Sequence, residues 1–113
     1  MQDKSGYVYA FTNPSHKLVK LGRTINIQDR LNALSSDTGV PTPYEYYRSV
    51  KVKDMFAVEK ELHKIFKKQR ENPNREFFKI VPEEVDPFFD YLKRDGGEEF
   101  NKKTLIEKKI IVK

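Results

Sequence analysis

Glu59, Arg30, Tyr9 and Lys20 are the residues of this chain whose types and spacing ask for chemistry. Glu59 lies four residues after Met55, three before Leu62 and seven before Phe66, so at helical spacing it falls on the shoulder of an apolar stripe. A lone carboxylate placed there must be paired, protonated or metal-bound, because burying an uncompensated charge is costly. Arg30 poses the same question on an earlier helix, three residues after Ile27 and four before Leu34. Two opposite charges beside neighbouring packing faces have two readings: a phosphate clamp next to a metal ligand, or a structural ion pair between the helices. His63 follows Glu59 by four, which puts both on one side of a helix. It suits a proton shuttle or a DNA phosphate contact, with a purely structural imidazole as the ordinary alternative. Tyr9 and Lys20 fall on the same face of adjacent strands by alternation and so project together, although each alone reads as a common strand residue.

The elements that must position these groups follow from the apolar pattern. Gly6 to Phe11 and Leu18 to Gly22 are β-rich runs joined by Thr12 to Lys17, whose Asn-Pro-Ser centre is turn chemistry, so a hairpin is expected. Val8, Ala10, Val19 and Leu21 take its core face, leaving Tyr7, Tyr9, Phe11 and Lys20 on the other. Asn26 with Asp29 three residues on marks a helix start, and Ile27, Leu31 and Leu34 carry that helix to about Ser35. Residues 36–43 read as a loop and Tyr44 to Val52 as a third strand. Asp54 is placed to cap a second helix from Met55 to about Lys68, with the stripe Met55, Val58, Leu62, Ile65 and Phe66. Arg70 to Asn74 is turn-like, Glu76 to Ile80 a short fourth strand, and Asp86-Pro87 an N-cap and first position of a last helix ending near Gly96-Gly97. The expected fold is therefore α+β, a small antiparallel sheet of three to four strands flanked by helices in the order β-β-α-β-α-β-α. Residues 1–97 form the expected domain and 98–113 an extension or added element, in which Leu105, Ile106, Ile110, Ile111 and Val112 are interspersed with lysines.

At 113 residues the chain suits one domain and leaves no room for a second catalytic unit. An aromatic share of 12% is enough to build a core, which argues against disorder. The net charge of +5 is a mild basic bias compatible with a phosphate-rich partner. Cysteine is absent, so disulfides, thiolate nucleophiles and sulfur-based zinc sites are excluded, and any metal must sit on carboxylate, imidazole and water. No run approaches the length of a membrane span and the N-terminal stretch has no apolar signal core, so a soluble, intracellular protein is expected.

Together, Ser5-Gly6-Tyr7-Val8-Tyr9-Ala10-Phe11, Lys20-Leu21-Gly22-Arg23-Thr24 and Arg30-Leu31 resemble the GIY-YIG nuclease superfamily, with its two hairpin strands and arginine-bearing helix. Adding Gly39-Val40-Pro41, Glu59 with His63, and Arg75-Glu76-Phe77-Phe78, the chain looks most like the branch named after the phage T5 Orf172 domain. The resemblance implies that Tyr9 is the first motif tyrosine, Gly22 the turn glycine, Arg30 the catalytic arginine and Glu59 the ligand of one metal ion. Lys20 stands where the second motif tyrosine would be, and the late asparagine of many nuclease members is not evident near Glu76.

The function implied is metal-dependent DNA endonuclease activity, with Tyr9, Lys20, Arg30 and Glu59 as catalytic residues and the DNA phosphate backbone as partner. Lys17, Arg23, His63 and Lys64 are the expected further DNA contacts. One carboxylate suits Mg²⁺ or Mn²⁺, which accept oxygen ligands and keep several waters. In phosphodiester cleavage Glu59 would hold the metal, Arg30 the phosphate, and Tyr9 would act as base if Lys20 or Arg23 lowered its pKa. A catalytically inactive DNA-binding module is the rival, and it would turn Glu59 away from Arg30. A protein-interaction domain is the third class, and it predicts a basic patch with no focus around Tyr9.

Overall fold

A computed structural model describes residues 3–13, 17–35, 44–72 and 76–100. The hairpin forms as expected: β1 (Gly6–Asn13) pairs antiparallel with β2 (Leu18–Thr24), setting Tyr9 opposite Gly22 and Phe11 opposite Lys20. β3 (Glu45–Val52) adds to the other edge of β1, and β4 (Phe77–Phe78) to the far edge of β2. A fifth strand, β5 (Glu98–Glu99), pairs with Val50 and Lys51 of β3, giving an antiparallel sheet in the order β4-β2-β1-β3-β5. The sheet thus has five strands where three to four were expected. The extra one is made of two glutamates, poor strand formers, recruited by long-range pairing.

Both faces of the sheet are covered. Val8, Ala10, Val19, Leu21 and Val50 pack against Met55 and Leu62 of α2 (Met55–Ile65) and Phe89 and Leu92 of α3 (Asp86–Arg94). On the opposite face Tyr9, Phe11 and Tyr46 pack with Ile27 and Leu31 of α1 (Ile27–Ser35). The aromatic face of the hairpin is therefore a second, smaller core, and Tyr9 and Phe11 are fully buried with their rings stacked 4.0 Å apart.

Local signals explain the helix starts. The Asn26 side chain accepts the Asp29 N–H at 3.0 Å, and the Asp54 side chain accepts the Ala57 N–H at 3.0 Å. α2 is shorter than expected. It ends at Ile65, Phe66 turns into the core, and a 3₁₀ turn (Lys67–Gln69) follows, so Ile65 is 53% exposed and leaves the stripe assigned to it. β4 is likewise shorter than Glu76 to Ile80, because only Phe77 and Phe78 pair with β2. Asp86 is the first helical residue of α3 and not its cap; a 3₁₀ turn (Pro82–Val85) leads directly into it, and its carboxylate accepts the Tyr47 hydroxyl and Arg48. The loop expected over 36–43 lies outside the described residues, as do 101–113, while Phe100 packs against Tyr7 and Tyr46.

Arg48 ties the C-terminal elements to the sheet. Its guanidinium donates to both carboxylate oxygens of Glu99, to Asp90 at 2.7 Å and to Asp86 at 3.3 Å, and Glu99 first, then Asp90, raise its pKa further. Arg48→Met keeps most of the stem packing but leaves three carboxylates facing one another. It should lower stability by roughly 2 kcal/mol, less than a fully buried pair would cost because the partners reach solvent. Denaturant unfolding of the two proteins measures this, and equal midpoints would show that the network does not hold α3 and β5.

Candidate nuclease site

β4 stops after two residues, so among the described residues the outer edge of β2, the one away from β1, has no strand partner beyond Lys20. The backbone of Leu21 is satisfied by other means: its N–H donates to the Glu76 carbonyl at 3.0 Å, and its carbonyl accepts His63 Nε2–H at 2.8 Å. At this open edge the charged residues of three elements meet. α2 brings Glu59, β2 brings Lys20 and Arg23, and α1 brings Arg30 to the hydroxyl of Tyr9.

Glu59 is buried, with a side chain only 9% exposed. One oxygen accepts the Arg23 guanidinium, and the other, Oε2, is buried with no hydrogen-bond partner. Burial first, and then the negative charge of Glu76, push its carboxyl above the ordinary range, against the pull of Arg23 and His63. Its ion-pair partner is therefore Arg23 and not Arg30. Arg23 in turn lies 4.4 Å over the ring of Phe56, so the expected DNA contact is already engaged at the protein surface.

Arg30 is half-buried and donates through Nε to the Tyr9 oxygen at 3.2 Å. Among the described residues its remaining guanidinium N–H groups find no acceptor. Burial raises the Tyr9 pKa and outweighs the Arg30 hydrogen bond, so the phenol stays neutral at ordinary pH. The cation that reaches it is Arg30, where Lys20 or Arg23 had been expected, and it does not make Tyr9 a phenolate base.

Lys20 is also buried. Its ammonium sits 3.4 Å from Glu76 Oε2 and 4.8 Å over the Phe77 ring, and desolvation lowers its pKa against the opposing effect of Glu76. In the sequence Glu76 has a place in the fourth strand and in the Arg75-Glu76-Phe77-Phe78 stretch, and no site role. With β4 so short, strand alternation does not fix its side chain, and its carboxylate turns toward Lys20 and Gly22. A Cβ on Gly22 would stand 2.5 Å from Tyr9 Oη and 2.9 Å from Glu76 Oε2, so the missing side chain is what lets both groups approach.

The remaining candidates lie apart from this cluster or serve it indirectly. His63 spends Nε2 on the Leu21 carbonyl and rests on Phe78, which makes it a support of the strand edge. Lys64 is exposed and five residues from Glu59, hence on a different side of α2. Lys17 is exposed at the hairpin turn, roughly 16 Å along the strand from Gly22 at the usual rise per residue.

Among the described residues no three His, Asp or Glu gather into a metal cage. A closed, protein-ligated ion has no basis there. A divalent ion that keeps most of its waters needs only one or two carboxylates, and the unpartnered Glu59 oxygen beside the charge of Glu76 fits that demand.

The T5orf172 domain profile matches residues 6–93, and the chain belongs to this family of nuclease-like, DNA-binding domains. The family match spans the sheet from β1 through β4 and nearly all of α3. No curated protein and no solved structure matches the chain. Among the described residues no helix is long and apolar enough to cross a membrane.

Gly22→Ala tests whether the close approach matters. The added methyl meets the Tyr9 ring, which is fully buried against Phe11 and has little room to shift. Overpacking of this kind should cost about 1–3 kcal/mol. Denaturant unfolding reads the cost, and a variant as stable as the parent would mean that Tyr9 and Glu76 do not converge over Gly22.

Proposed function

We propose that the domain grips the DNA backbone at the open edge of β2 and hydrolyses a phosphodiester bond there with one Mg²⁺ or Mn²⁺ ion. The observation that carries this reading is the buried Glu59 carboxylate, whose second oxygen has no partner in a cluster that also holds Arg30 donors without an acceptor among the described residues. A structural ion pair alone does not explain it, since Arg23 engages only one of the two oxygens. The cluster contains the cations Lys20, Arg23 and Arg30 and the carboxylates Glu59 and Glu76, so it is net positive and suited to phosphate.

Each residue has a definable task. The fork of Arg30 holds the non-bridging phosphate oxygens, where negative charge develops as water adds to phosphorus and the leaving oxygen departs with a proton. Tyr9, neutral and fully buried, positions the Arg30 fork by accepting its Nε–H at 3.2 Å and acts on the phosphate only through that guanidinium. Lys20 supplies a second cation in place of the phenol that a second motif tyrosine would bring. Glu59 would hold the metal, which when bound neutralises developing charge and activates water.

One observation favours an inactive DNA-binding module as the second reading: Glu59 is engaged by Arg23 and not by Arg30. The protein-interaction class expected no charge focus around Tyr9, whereas Arg30, Glu76 and Glu59 all act on that phenol.

Incubation with plasmid and synthetic DNA, with and without Mg²⁺ or Mn²⁺, separates these readings. The parent should cleave only with metal, and its DNA affinity should fall steeply with salt. Arg30→Ala should cut the cleavage rate by about 100-fold while unfolding close to the parent. Salt-dependent binding without cleavage in either metal would establish the inactive module. Affinity indifferent to salt would reject backbone binding altogether, and Arg30→Ala protein that unfolds early yet cleaves normally per folded molecule would make Arg30 structural.

A further inference from the structure

Phe56 is an aromatic ring on the outer side of α2, 46% exposed and outside both cores. It is nonetheless held in place. The Arg23 guanidinium lies 4.4 Å over its ring and is also ion-paired with Glu59, so one side chain ties the ring to the nuclease site. The ring also lines a shallow hollow of about 390 Å³ with Lys4, Asp54, Ala57 and Lys60. The Lys4 carbonyl accepts the Met55 N–H at 2.9 Å, which fixes the N-terminal segment beside the start of α2. Both lysines are exposed, and among the described residues neither ammonium has a carboxylate partner. The carboxylate of Asp54 caps the helix, accepting the Ala57 N–H at 3.0 Å. Four residues after Phe56 comes Lys60, and four later Lys64, so the exposed ridge of α2 runs from a ring onto two cations spaced about 6 Å apart along the axis.

A flat apolar face among cations matches the chemistry of a nucleotide, with the base on the ring and the flanking phosphates on the lysines. Bases within a paired duplex are stacked on one another and offer no free face. We propose that Phe56, steadied by Arg23 and flanked by Lys4 and Lys60, is a stacking platform for an unpaired nucleobase next to the bond held at the site. This rests on the DNA-gripping reading above and deepens it: the domain takes DNA carrying an unpaired nucleotide in preference to fully paired duplex. The cations around the ring favour a nucleic acid over an apolar protein surface, which would leave Lys4 and Lys60 desolvated and unpaired.

Fluorescence anisotropy of the full chain in chelator, with a blunt duplex and with the same duplex carrying one bulged base, tests this apart from cleavage. The parent should bind the bulged duplex about tenfold tighter, the contribution of one base stacked on an aromatic ring. Phe56→Ala and Phe56→Leu should both lose that preference and bind the blunt duplex within about twofold of the parent, whereas Phe56→Trp should keep it. Because leucine is apolar but has no π face, a Phe56→Leu protein that still prefers the bulge overturns stacking, and it decides the matter should Phe56→Ala unfold early. A parent that binds both duplexes equally, with an affinity that falls with salt, refutes the platform and leaves the backbone grip standing. A parent that binds neither duplex ends both readings together. If Phe56→Ala keeps the bulge preference and changes only the sedimentation of the protein, the ring covers a second copy of the chain and the platform is wrong.

Discussion

A buried carboxylate with one oxygen unmatched is the constraint on which the rest of this structure turns. Glu59 sits on a helix whose neighbouring positions, Met55 and Leu62, belong to the core, so it cannot swing into solvent without unpacking α2. Arg23 compensates part of its charge, and Glu76 opposes it. Burying a charge in this half-satisfied state destabilises a fold that has no use for it, and an apolar residue at 59 would pack there at lower cost. A bound cation turns the same arrangement from a burden into a gain, which is why Glu59 is the natural centre of a site.

The fold supplies that centre with neighbours by ending a strand early. Because β4 covers only Val19 and Lys20, the outer edge of β2 opens at Leu21, and each face of the sheet sets a charged pair beside the end of that strand. Glu59 comes from the α2 side and Arg30, through Tyr9, from the α1 side. His63 and the Glu76 carbonyl satisfy the buried Leu21 backbone, so the strand pairing ends there without orphaning that residue's N–H or carbonyl. At the other end of the sheet Arg48 gathers Asp86, Asp90 and Glu99, an ionic network that fixes the scaffold.

Much of this was legible in the residues, and the limits of legibility follow distance along the chain. The hairpin faces, the Asn26 and Asp54 caps and the starts of α1 and α2 rest on signals within a few positions and are found as expected. The charges of Arg30 and Glu59 stood out because each lies beside an apolar stripe. Their partners did not, since the choice of Arg23 for Glu59 and Tyr9 for Arg30 depends on how α1 and α2 dock on opposite faces. Glu76 was hidden for a related reason: a two-residue strand has no alternation to reveal which way its neighbour points. β5 was hidden too, because Glu98 and Glu99 pair through contacts with Val50, Lys51 and Arg48 far away in sequence.

The Glu59 carboxylate is held in the fold against its own preference for the neutral form, and its titration in the metal-free protein tests that most directly. Its folded pKa is raised above the ordinary 4.5, so the folded state holds the proton more tightly than the unfolded chain. Well below 4.5 the group is neutral in both states and costs nothing. As pH rises from there through the folded value, the parent should lose stability that Glu59→Gln does not lose. Denaturant unfolding of both proteins between about pH 4 and 8 in chelator gives the difference curve; saturating Mn²⁺ at the upper end should restore the parent and leave Glu59→Gln where it was. The contradicting result is a parent more stable than Glu59→Gln across the whole range and indifferent to Mn²⁺, which would make Glu59 the satisfied half of an ion pair with Arg23.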